Sequence, residues 1–197
     1  MTKIHRIFST AVLVSLFGCA GSDFVRPAPE AFKLGTTTFN QVVQQMGEPR
    51  RIGEVTKNGA AVKSITYSYA ATGGEPLDEG VIPARAQVFF FHNDTLVGQE
   101  FLSSFKSDNT NFDEKKVPAI VKGTTMRTEV IQLFGRPSTM YVPPLIKEGG
   151  VEAMGYAYQT TSGGAFAGFK IFRKNLVILL DGKGQVLDVD YSSSGNK

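Results

Sequence analysis

Cysteine is almost missing from this chain. The single Cys19 in 197 residues excludes an intramolecular disulfide framework and any zinc site built on a cysteine cluster. Histidine is equally scarce. Of the two, one falls within the first five residues, which leaves too few ligands for a histidine-based metal site. An excess of one charge is also lacking: 21 basic against 18 acidic residues, a formal +3, is too balanced to mark a nucleic-acid binder. Tryptophan is absent. What is present is apolar mass, 42% of the chain with 15 Phe and 6 Tyr, enough for a real core and against wholesale disorder. No cofactor is implied.

The N-terminus reads as an address. Lys3 and Arg6 precede an apolar run from Ile7 to Phe17, shorter than the roughly 20 residues a membrane-spanning helix needs. A basic segment followed by a short apolar one is the layout of a secretory signal. Leu16-Phe17-Gly18-Cys19 resembles the lipobox of bacterial lipoproteins, in which the cysteine is acylated and becomes the mature N-terminus. The expectation is a signal peptide at 1–18, lipid on Cys19 and a Pro-containing tether over 19–30. Several acyl chains on one residue anchor a protein stably, whereas a single chain is marginal. Ala20, and not Asp, follows the cysteine; under the sorting rule of enteric lipoproteins this implies the outer membrane, with the chain facing the periplasm.

The rest of the chain repeats itself. Gly35 to Pro49 aligns without gaps on Gly123 to Pro137, with Gly, Thr, Thr, Val, Gln, Gly and Pro coinciding. Tyr67-Ser68-Tyr69 then matches Tyr156-Ala157-Tyr158, and Val88 to Phe91 matches Val177 to Leu180. Phe39, Val42, Val43 and Met46 form one helical stripe, repeated at Val130, Ile131 and Phe134. Thr37 and Thr125 are candidate N-caps, Gly47 and Gly135 candidate left-handed C-terminal residues, and Pro49 and Pro137 prevent continuation. Helices are therefore predicted over about 38–46 and 126–134, with a shorter helical turn before each, near Pro29–Phe32 and Asp113–Ile120. Strands are predicted at Ser64–Ala70, Ala86–Phe91, Thr95–Phe101, Gly155–Thr160, Phe169–Leu180 and Gln185–Tyr191, with Asn93-Asp94 and Asp181 to Gly184 as turns. The expected fold class is α+β: two tandem repeats, 31–105 and 113–192, each a short helix or helix pair on an antiparallel three- to four-stranded sheet. A linker at 106–112 would join them, and 193–197 would be a loose tail.

The signature Gly123-Thr124-Thr125 through Val130 to Gly135-Arg136-Pro137, with its first copy, resembles the SmpA/OmlA (BamE-like) outer-membrane lipoproteins. The tandem plan is similar to that of a secreted β-lactamase inhibitor protein. The resemblance implies a membrane-anchored module that binds other envelope proteins in outer-membrane assembly. It also leaves open an inhibitor or sensor that clasps a periplasmic enzyme on a concave sheet.

The residues themselves argue against catalysis. His92 reads as flanking a turn, Asp188 and Asp190 as a solvated strand face, and Gly163 to Gly168 as a hairpin tip without the Lys and Ser/Thr of a phosphate loop. Glu75, Asp78 and Glu79 share a loop and define a third reading, a hydrolase or ligand-binding protein. Binding has better candidates. Val88–Phe91 and Leu176–Leu180 are apolar on both strand faces, so the second face needs a cover: repeat packing on repeat, a long loop, or a partner. Tyr67, Tyr69, Tyr141, Tyr156 and Tyr158 are the candidate partner-binding anchors, because Tyr is enriched at interface hot spots. The loops Thr72–Pro83 and Tyr141–Glu152 are expected in equivalent places, and the apolar stretch Tyr141–Ile146 is expected either to fold over the core or to touch a partner or the membrane surface.

Overall fold

Strand-forming segments dominate the computed structural model, which describes residues 21–71, 73–164 and 168–195. The predicted signal peptide and Cys19 lie outside the described residues. In chain order, helix α1 (Phe39–Met46) precedes β1 (Arg51–Lys57), β2 (Ala60–Ala70), β3 (Ala84–His92) and β4 (Thr95–Ser103). A 3-10 turn (Glu114–Ala119) and helix α2 (Arg127–Phe134) then precede β5 (Thr139–Tyr141), β6 (Glu152–Gly164), β7 (Gly168–Leu180) and β8 (Val186–Gly195).

All eight strands form one antiparallel sheet in sequential order. This corrects the expected fold class. Two α+β repeats, each with its own sheet, would leave β4 and β5 as edges. Instead Gly98, Gln99 and Glu100 pair with Tyr141, Met140 and Thr139, and the molecule is mostly one continuous sheet with little helix. The short, polar β1 and three-residue β5 carried no alternation long enough to predict them. Register makes the continuity concrete. A single row, Ile52–Ile65–Phe89–Gln99–Met140–Met154–Ile178–Val189, crosses every strand. Side chains in one row share a face, and this is the face both helices cover.

Two apolar clusters lie under that cover. Val42 of α1 packs with Phe32, Ile65, Tyr67, Phe89, Phe91 and Leu96. Val130 of α2 packs with Phe112, Met154, Tyr156, Leu176, Ile178 and Leu180. The repeated signature is built alike in both halves. Gly35 N–H donates to the Leu96 carbonyl and Leu96 N–H to that of Thr37; Gly123, Val186 and Thr125 repeat the pair. The Gly-x-Thr connector is thus zipped to the start of β4 or β8, which fixes each helix over its strands.

The helix ends differ from expectation by one residue. Thr38 caps α1, its hydroxyl accepting from Gln41 N–H while the Gln41 side chain accepts from Thr38 N–H. Met126 holds the equivalent place with only the second arm, Met126 N–H to Glu129. Thr37 and Thr125 instead close the preceding turn by accepting from Lys33 and Val121 N–H. Gly47 (φ 79°, ψ −171°) and Gly135 (φ 79°, ψ −155°) have positive φ but extended ψ, a region open only to glycine.

The linker and tail are also more ordered than expected. Phe112 and Thr110 are buried, and Lys174, almost fully buried, donates to the Phe112 carbonyl and to Glu114. Residues 193–195 belong to β8.

Candidate functional site

The five candidate tyrosines are mostly internal. Tyr67 and Tyr156 are buried, and their hydroxyls donate to the carbonyls of Gly47 and Gly135, the C-terminal glycines of α1 and α2. Burial, with Glu48 adding to it, pushes the Tyr67 hydroxyl up to about 12, so it stays a donor. Tyr158 is fully buried and donates to Asp78 at 3.0 Å. Tyr69 stacks on Phe105, and half-buried Tyr141 donates to Glu100 on the other face of the sheet. Side chains held in this way brace the fold. Tyr67, Tyr156 and Tyr158 are committed to internal hydrogen bonds and present almost no surface.

The second sheet face has its own cover. Residues 142–151 join β5 to β6 and fold back toward the first half, where Asn58 Nδ2 donates to the carbonyls of Pro144 (2.8 Å) and Ile146 (2.7 Å). Tyr141 meets Phe90 edge-on beneath them. Between β2 and β3, residues 73–83 reach the other way at the end of the sheet: Asp78 accepts from Tyr158, on the helix-covered face, Ile82 N–H donates to the Thr161 carbonyl, and Val81 bridges to Ser162. The two loops therefore occupy different places in the topology, and each half lends a loop to the other.

The acidic loop residues do not converge. Asp78 is held by Tyr158, and no group of three or more His, Cys, Asp or Glu able to hold a metal occurs among the described residues. His92 Nδ1 lies 2.9 Å from the Ala61 carbonyl, and Nε2 lies 3.2 Å from Asn93 Nδ2. With Nδ1–H donating, Nε2 accepts, which is a turn-flanking role. Asp188 is drawn below the usual carboxylate range by Lys122 and by the Val189 N–H.

A groove opens instead on the helix side, at the junction of the halves, with a volume of about 660 Å³. Its floor is where the apolar row turns polar: Gln87, Gln99, Phe101 and Met140. Phe32 and Leu34 form one wall, and Arg127 and Ile131 of α2 with Arg136 form the other. The N-terminal segment crosses its end like a strap. Arg85 donates to the Phe24 carbonyl, Arg26 to that of Pro137 and Arg136 to that of Pro27.

The electrostatics of this groove are unbalanced. Arg26 lies 4.8 Å from the centre of the Phe101 ring; burial, with Arg136 adding repulsion and Asp108 opposing, pulls its guanidinium down to about 10. It remains charged at neutral pH. Burial lowers Arg136 likewise, with Glu30 opposing. Neither makes an ion pair within 4.0 Å among the described residues, whereas Arg127 is paired with Glu152 at 2.9 Å. Glu152 Oε1 is buried with no hydrogen-bond partner there. The groove thus offers spare donors, one spare acceptor and apolar walls, the complement of an extended peptide with an acidic side chain.

Sequence reasoning missed it because its residues come from five separated segments. The signals were Gln87 and Gln99, polar residues at core-facing strand positions, and the Arg between Gly135 and Pro137. No helix among the described residues is long and apolar enough to cross a membrane. No known protein family matches the chain, and neither curated proteins nor solved structures show significant similarity to it.

Proposed function

We propose that this protein is a periplasm-facing, outer-membrane lipoprotein anchored through Cys19 that binds an envelope protein and performs no catalysis of its own. The lipobox-like Leu16 to Cys19 supports the anchor, and the resemblance of the Gly123–Pro137 signature to SmpA/OmlA lipoproteins supports a role in outer-membrane assembly. The observation that carries the binding reading is the junction groove, where neither Arg26 nor Arg136 has a carboxylate within 4.0 Å among the described residues, beside the unfilled Glu152 Oε1. The partner it fits is an extended segment: carboxylate to the guanidiniums, a backbone N–H to Glu152, apolar side chains to Ile131 and half-buried Met140.

Crosslinked affinity capture from intact envelopes tests this, comparing wild type with Arg136→Glu, Ile131→Lys and Cys19→Ala. The reading expects assembly proteins from wild type, loss of at least tenfold with either groove variant at unchanged circular dichroism, and loss with Cys19→Ala. Equal capture by the groove variants would refute the groove. A single soluble periplasmic enzyme, retained by Cys19→Ala, would make the protein an inhibitor whose lipid only sets location.

A further inference from the structure

The distal end of the sheet carries apolar side chains open to solvent. Phe169 and Ile171 on β7 are 61% and 54% exposed. Two residues apart on one strand, they point to the same face, and Arg173 continues that row while Lys170 points to the other. The β6–β7 hairpin that bears them runs past the ends of β2, β3, β4 and β5, accompanied only by the end of β8, which pairs as far as Phe172, and by Ile82 and Val81 beside Thr161 and Ser162. Ala157, Asn175 and Ser192 lie level with Leu102, Ala86 and Ser68, as the pairings through Glu100, Thr139 and Gly155 show. Pairing then continues to Gly164 and Gly168, about 20 Å beyond that level at the rise of an extended strand.

The N-terminal strap arrives at the same end. Gly21 lies so close on β2 that a Cβ there would collide with the Ser68 carbonyl oxygen. Phe24 packs on Tyr67, and Arg85 holds the Phe24 carbonyl at 2.8 Å. Cys19 precedes Gly21 by two residues, so its α-carbon lies within about 7 Å of Gly21 for any conformation of the chain. A lipid on Cys19 brings the bilayer to the end of the sheet from which the hairpin projects.

We propose that this hairpin is a second membrane contact, with Phe169 and Ile171 set into the bilayer interface and Lys170 and Arg173 at the phosphate headgroups. It rests on the reading that Cys19 is acylated. A short acylated tether alone would leave the domain free to tumble; a second contact one hairpin away fixes its tilt.

The absence of tryptophan supplies a clean reporter. Phe169→Trp in the full, processed lipoprotein is reconstituted into phosphatidylcholine–phosphatidylserine vesicles with brominated acyl chains, and Val151→Trp, 51% exposed and beside Leu180 at the other end of the sheet, is the control. Co-flotation of protein with vesicles reads the anchor separately from the emission. The expected result for Phe169→Trp is co-flotation, a blue shift and loss of most of the indole emission to bromine, with the emission of Val151→Trp unchanged. Co-flotation of Phe169→Trp without quenching overturns the hairpin contact and leaves the anchor standing. Failure to co-float overturns both. A blue shift seen only in native envelopes, without bromine quenching, assigns the hairpin to a protein partner and overturns the lipid contact.

Discussion

At the scale of single residues, the repeated glycines and tyrosines act as pairs. Tyr67 donates to the Gly47 carbonyl at 2.8 Å and Tyr156 to that of Gly135 at 2.9 Å, so each strand clamps the end of its helix. Removing one hydroxyl, Tyr67→Phe or Tyr156→Phe, should cost about 1 kcal/mol in urea unfolding. Gly135→Ala should cost about 1–3 kcal/mol, because φ 79° with ψ −155° is strained for any side chain. Glu100 gives a pH signature. Burial raises its carboxyl above the usual range, against the opposing pull of Tyr141 and Arg173. Its folded value lies above its unfolded one, so its contribution is fully present below the unfolded value and is lost as pH rises through the folded value. Glu100→Gln should remove that part of the pH dependence, leaving a flatter profile of unfolding free energy from acid to neutral pH.

At the scale of elements, the helices were legible because Phe39, Val42, Val43 and Met46 repeat at helical spacing and Gly47 and Pro49 stop the chain. The long strands were legible as apolar runs bounded by turn residues, as at Val88–Phe91 before Asn93-Asp94. β5 was not: three residues carry no period, and its pairing with β4 is decided by what surrounds it. The need for a cover on the second face was legible, but its identity was not, since Asn58 and Pro144 lie far apart in sequence and nothing local pairs them. The tyrosines escaped for a related reason: enrichment at interfaces says nothing about burial, and the backbone carbonyls that hold Tyr67 and Tyr156 have no sequence signal. Asn58 sits at φ 47°, a turn position that glycine also accepts. Asn58→Gly should therefore keep the β1–β2 turn and release the 142–151 loop, seen as at least tenfold faster amide exchange at Leu145 and Val151 with little change in β2. Unchanged exchange would mean that the two carbonyl contacts do not hold the loop.

At the scale of the whole molecule, one sheet and two exchanged loops predict one cooperative unit. Truncating the first-half core with Phe89→Ala should cost about 3–5 kcal/mol and speed amide exchange in β7 as much as in β2. Exchange that rises in β2 alone would show two independently unfolding halves. The same continuity creates the groove, since Gln99 and Met140 become neighbours only through the β4–β5 pairing. The central claim is that a partner segment lies there. The most direct measurement places a photoreactive amino acid at Ile131, on the groove wall, and at Ile52, on the distant edge strand, in otherwise intact cells. A discrete protein crosslink from position 131, absent from position 52 and lost when Arg136→Glu is added, is the predicted result. Crosslinks from both positions alike, or a crosslink at 131 that survives Arg136→Glu, would contradict it.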